Sequence, residues 1–184
     1  MKRKIKVRAV IQFRGFRGGV AALCVATALA SCENAGTLAG GGAESDYLVA
    51  RQALETGNYD IAIRTYGRLM GRVDASAAAR LQLEYAHALL RGNRFDEAVA
   101  ATDPLIARHE GAIRLSALAV RGTARHEEAR RQIDGGRGSA ATRTLLMAAQ
   151  ADLTATLQAP EPLDSTGSMR ARLDLIAADL ARLG

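Results

Sequence analysis

With 184 residues the chain has room for one domain plus extras, and its formal charge of +6 is unevenly placed. Lys2, Arg3, Lys4, Lys6, Arg8, Arg14 and Arg17 precede Cys32 with no acid among them, so 25 − 7 = 18 cations face 19 acids in the remainder, a net of −1. The basic balance is therefore a property of the N-terminal segment, and it gives no support to nucleic-acid binding by the rest. Aromatic residues make up only 4% and tryptophan is absent, while Ala, Leu and Arg, all strong helix formers, dominate the sequence after Cys32.

Met1 to Gly19 is basic, and Val20 to Ala30 is an apolar run. That run is roughly half the ~20 apolar residues a membrane-spanning helix needs, and it has the form of a signal-peptide core. Leu29-Ala30-Ser31-Cys32 comes directly after it. These four residues resemble the bacterial lipobox: an aliphatic residue, two small residues that suit a narrow peptidase cleft, and a cysteine. The resemblance implies diacylglycerol on the Cys32 thiol and cleavage just before it, making 1–31 a removed signal peptide. Arg14 and Arg17 are not adjacent, so a twin-arginine export signal is unsupported. Cys24 is then lost with the signal and Cys32 is capped by lipid, leaving neither a free thiol nor an intramolecular disulfide. Residues 32–45 read as the lipidated cysteine and a flexible tether, because Glu33 to Ser45 holds four glycines and no apolar periodicity. In enteric lipoproteins an aspartate after the cysteine favours the inner membrane; Glu33 is not that residue, which favours an outer-membrane anchor facing the periplasm.

Residues 46–184 read as paired helices, an all-α domain. Tyr47 to Leu69 aligns with Leu83 to Leu105 at a spacing of 36 residues, placing Ala50 on Ala86, Tyr59 on Phe95, Ala62 on Ala98 and Leu69 on Leu105. Small residues fall where two helices would cross, an aromatic opens each second helix, and Gly57, Gly92 and Asn93 supply tight turns that tolerate positive φ. This pattern resembles the tetratricopeptide repeat (TPR), a helix-turn-helix unit with a period of about 34 residues. The resemblance implies a short TPR-like α-solenoid of antiparallel helix pairs with a C-terminal capping helix.

The pattern also departs from the repeat. Tyr66 has Thr102 as its counterpart, and Pro104, which cannot donate to the Ala100 carbonyl, is expected to kink or break its helix. Ala112 to Ile133 reads as one long helix stopped by Gly135-Gly136. Ser139 caps a following helix to about Leu157, and Ala159-Pro160-Glu161-Pro162 ends it, giving a degenerate third pair. Ser168 to Leu183 is a last amphipathic helix with Met169, Leu173, Ile176, Leu180 and Leu183 on one stripe, suited to capping the array.

Catalytic chemistry finds no foothold, and the chain is not expected to be an enzyme. His87, His109 and His126 are far apart. His126-Glu127-Glu128 begins like a zinc helix but meets Arg130 on the next turn, so it reads as solvated charge. Gly135-Gly-Arg-Gly-Ser139 lacks the strand before it and the Lys-Ser/Thr after it that a phosphate loop requires. No metal, cofactor or small-molecule substrate is expected. Arg121, Arg125, Arg130, Arg131, Arg137 and Arg143 interleave with Glu127, Glu128 and Asp134, either as a solvated face with i,i+4 ion pairs or as a surface for an acidic partner.

In TPR proteins the first helices of the pairs line a peptide-binding groove. Carried onto this sequence, that implies partner contacts at Tyr47, Arg51, Leu54 and Glu55, and at Leu83, His87, Leu90 and Arg91. The alternative is that Leu54, Leu83 and Leu90 pack against neighbouring helices. The resemblance as a whole is to TPR lipoproteins of the bacterial envelope, such as those of pilus assembly (pilotins and the tight-adherence system) and of outer-membrane barrel assembly. It implies an adaptor that holds an envelope protein or peptide while anchored to the membrane through Cys32. An accessory domain or weak hydrolase acting on the cell wall is the alternative reading.

Overall fold

A computed structural model describes residues 41–159 and 164–184. The expected signal segment, Cys32, the tether as far as Gly40, and Pro160 and Pro162 lie outside them. Among the described residues the chain is all-α, with seven helices: α1 (Gly41–Glu55), α2 (Tyr59–Leu69), α3 (Ala75–Arg91), α4 (Phe95–Arg108), α5 (Gly111–Asp134), α6 (Ala140–Leu157) and α7 (Ser168–Arg182). Each packs on the next in chain order, and α5 also meets α3 and α7. Residues 41–45, expected as tether, form the first turn of α1, where Ala43 is buried.

The turns after α1, α3 and α5 share one construction. Gly57, Asn93 and Gly136 adopt φ of 81°, 58° and 67°. The residue after each returns its N–H to a carbonyl five positions back: Asn58 to Ala53, Arg94 to Leu89, and Arg137 to Gln132. With the bonds from Gly57 to Leu54, Asn93 to Leu90 and Gly136 to Ile133, this closure satisfies carbonyls that a helix end leaves open. Positive φ in the second turn thus falls on Asn93; Gly92, at φ −83°, is needed for another reason. A Cβ there would stand 3.1 Å from Ile63 Cδ1 and 3.3 Å from Tyr59 Cβ, so the glycine lets α3 end against α2.

The buried small residues keep step with these turns. Ala50, Ala86 and Ala129 stand in the same register before Gly57, Asn93 and Gly136, and all are fully buried. Ala62 and Ala98 are likewise fully buried. Around them the first core gathers Ile63, Tyr66, Leu69, Leu81, Leu89 and Phe95 from α2, α3 and α4. A second core joins Ala129, Leu146, Leu153 and Ile176 across α5, α6 and α7, with Met169, Leu173, Leu180 and Leu183 packed against it. A third lies between α4 and α5 around Leu105, Ile106, Ala117 and Leu118. Each fully buried leucine contributes about 1.5–3 kcal/mol.

Pro104 does not break its helix, and α4 runs on to Arg108. The residues beyond the proline, Leu105 and Ile106, are buried, and the Arg114 side chain donates to the Ile106 carbonyl. That anchoring outweighs the roughly 3 kcal/mol that an interior proline costs an isolated helix. Three starts are fixed by side chains: Asp74 accepts from the N–H groups of Ser76 and Ala77, Ser139 and Thr142 form a reciprocal box, and Asp164 accepts from Met169 and Arg170 ahead of α7.

Candidate functional site

The face shared by α1 and α3 is built around Glu84. Its side chain is almost buried, and Tyr47 and Tyr66 donate their hydroxyls to its two oxygens at 3.0 and 2.8 Å. Arg51 stands 3.6 Å away on one side and Arg80 3.5 Å on the other. Burial first, and then the neighbouring carboxylate, raise both tyrosines above the ordinary phenol range, so both remain protonated donors. Glu84 thereby ties both helices of the first pair to the start of the second.

The expected groove residues divide over this frame. Tyr47 turns to Glu84, and Arg51 is shared between Glu55 at 2.9 Å and Glu84. Leu54 and Leu90 pack on the first core and Leu83 on the third. His87 and Arg91 are exposed. On α3 the residues Arg80, Glu84, His87 and Arg91 follow one another at helical spacing, so they form a polar stripe along one face.

That stripe ends in an open cleft of about 490 Å³ between the turns that follow α1 and α3, lined by Tyr59, Asp60, Arg64, Arg91 and Asn93 among others. Arg91 stacks over the Tyr59 ring at 5.5 Å and donates to its hydroxyl at 3.1 Å. Neither Arg64 nor Arg91 forms an ion pair among the described residues. Asn93 also borders a second cleft of about 490 Å³, where Arg130 and Arg131 are balanced by Glu127 and Asp134. There Arg131 lies over Phe95 at 5.5 Å, repeating at the second pair the arginine-on-aromatic contact of the first.

The arginines of α5 are mostly spent inside the molecule. Arg121 grips the buried Asp152 of α6 with two bonds of 2.9 and 2.7 Å and reaches Asp103 of α4 at 2.8 Å. Arg125 meets the same Asp152 at 2.7 Å. These pairs join three helices, where solvated i,i+4 pairing or a surface for an acidic partner was expected. The expectation for His126 also changes: its side chain is fully buried, between Asp179 and Arg172 of α7. Among the described residues no group of three or more His, Cys, Asp or Glu stands together to hold a metal.

Glu84, Asp152 and Asp179 were not singled out in the sequence, because their partners lie 18 to 53 positions away. A weak signal exists for Glu84 and His126, since each polar residue falls three or four positions from buried small or apolar ones: Leu81 and Ala88 flank Glu84, and Leu118 and Gly122 precede His126. No protein-family model matches the chain, and neither curated proteins nor solved structures yielded a match. Among the described residues no helix is long and apolar enough to cross a membrane.

Proposed function

We propose that this chain is a lipid-anchored adaptor of the bacterial envelope, in which a short TPR-like array presents a polar stripe and cleft to a segment of a partner protein. One observation supports the repeat array in this reading: three successive helix pairs are closed by the same turn, with a fully buried alanine at the same register before each. Stacked hairpins of this kind bury a continuous core and leave an extended face for a partner. The third pair belongs to the array on this reading, and α7 closes its end.

The exposed Arg80, His87 and Arg91 along this stripe suit an extended peptide, and Arg64 and Arg91 at its end, neither in an ion pair among the described residues, suit a carboxylate, either an acidic side chain or a free C-terminus. The planar guanidinium can bond both oxygens of such a group. Arg51, already shared by two glutamates, plays a lesser part. Tyr47 helps hold the face together, and Leu54, Leu83 and Leu90 support it from below.

The test is co-purification from detergent-solubilised envelopes with the parent and with an Arg64→Ala/Arg91→Ala double variant. The variant is expected to melt like the parent and to lose a discrete partner. A partner retained at parental salt tolerance would remove the cleft from consideration.

A further inference from the structure

α7 is held to the rest of the molecule by an apolar stripe, by a bond from Arg143 to the Leu180 carbonyl, and by a polar cluster centred on His126. The imidazole is fully buried. Arg172 Nη1 donates to Nδ1 at 3.1 Å and also to Glu127 at 2.6 Å, while Nε2 lies 3.1 Å from Asp179 Oδ2. A guanidinium can only donate, so Nδ1 must offer its lone pair and the ring proton must sit on Nε2, pointing at Asp179. This arrangement fits the neutral ring alone. A proton added at Nδ1 would leave two donors facing each other beside a fully buried ring.

We propose that α7 is a pH-released latch: protonation of His126 sets a second N–H against Arg172, parts α7 from α5, and uncovers the apolar face of α5 and α6 beneath it. Leu146, Leu153 and Ala129 are fully buried there, with Ile133 and Leu145 beside them. Three charged side chains act on the ring. From α5 Glu127 adjoins it, and from α7 come Arg172, Asp179 and, through Asp179, Arg182. The two charges of α6 are held elsewhere, Arg143 on the Leu180 carbonyl and Asp152 on Arg121 and Arg125, while Asp103 of α4 is taken by Arg121.

Burial lowers the ring's pKa below its ordinary value, opposed by Asp179 and helped by Arg172. The sign follows. The unfolded or undocked ring takes a proton near pH 6.5, and the docked ring does so only at lower pH. Docking is therefore full above about pH 6.5, weakens as pH falls below it, and stops weakening once the docked ring also titrates.

The experiment is hydrogen exchange on the full purified chain between about pH 7.5 and pH 5, corrected for intrinsic exchange rates. The opening equilibrium of the α7 amides is expected to rise by up to about tenfold per pH unit below about 6.5, with those of α2 unchanged. His126→Gln can donate to Asp179 and accept from Arg172 without titrating, so it should stay docked and lose the pH response. Opening of α7 that does not vary with pH, or that varies equally in the Gln variant, would overturn the latch. Should the variant not fold, the imidazole titration of His126 in the parent decides by NMR. The α7 amide shifts are expected to move with it, and their staying fixed would overturn the proposal.

Discussion

At Gly122 a methyl group would stand 2.9 Å from Leu153 Cγ and 3.1 Å from the Ala149 carbonyl oxygen. The glycine lets α5 and α6 approach closely, and its burial leaves no direction in which to yield. Gly122→Ala is therefore expected to destabilise the fold by about 1–3 kcal/mol as an overpacked contact, seen as a lower denaturation midpoint. At Gly57 the constraint is on the backbone. Its φ of 81° lies in the left-handed region, and the nearest atom to an added Cβ is 3.9 Å away. Gly57→Ala should cost about 1–2 kcal/mol by strain alone, and Asn93→Gly at the equivalent turn should cost little or nothing. If the two substitutions shifted the midpoint alike, the turns would not be equivalent. Glu84 sets a third kind of constraint. Glu84→Leu leaves the fully buried Tyr66 hydroxyl without its partner, a loss of about 1–3 kcal/mol that Glu84→Gln should largely avoid, since its amide oxygen still accepts.

Helix pairs here are joined by two different means. Between α1 and α2, and between α3 and α4, the contact is apolar and runs over fully buried alanines. Ala98→Leu should overpack it by about 1–3 kcal/mol, while a change at exposed Arg68 should do little; thermal melts of the two variants side by side check this. Between α5 and α6 the contact is partly ionic. Asp152 keeps a side-chain exposure of 6% against 18% and 21% for Arg121 and Arg125, so its loss strands a largely desolvated Arg125 and leaves Arg121 with Asp103 alone. Asp152→Ala is expected to cost about 3 kcal/mol, the lower end for breaking a buried pair because both arginines retain some contact with water. Asp152→Asn, which still accepts from both arginines, should recover part of that. Equal stability of parent and Asp152→Ala would mean that α5 and α6 are held by their apolar contacts alone.

For the whole molecule, the proposed anchor carries the most direct test. An acylated Cys32 would hold the array at a membrane surface. Each buried methylene contributes about 0.8 kcal/mol, so two or three acyl chains hold stably where one would not. Cys32→Ser is expected to leave an uncleaved precursor or a soluble product on fractionation. A variant that is processed normally and remains firmly membrane-bound would count against the anchor.

Much of the helical content was legible in the sequence because it is written locally. The glycine stops at 57 and 135–136, the Ser139 cap, and the apolar stripe of α7 each depend on residues a few positions apart, and helices form around them as expected. Ala50, Ala62, Ala86 and Ala98 were readable as buried small residues because the 36-residue spacing repeats them. The fate of the charges was not legible. Arg121 looked like a solvated cation until α4 and α6 brought Asp103 and Asp152 to it, and His126 looked exposed until α7 folded back over it. Pro104 looked like a break until buried neighbours held its helix together. Short-range patterns decide where helices start and stop, since capping and periodicity act within a few turns. Which charged side chains lie between helices is decided only by packing, because their partners are distant in sequence and the pairing follows from which helix faces meet.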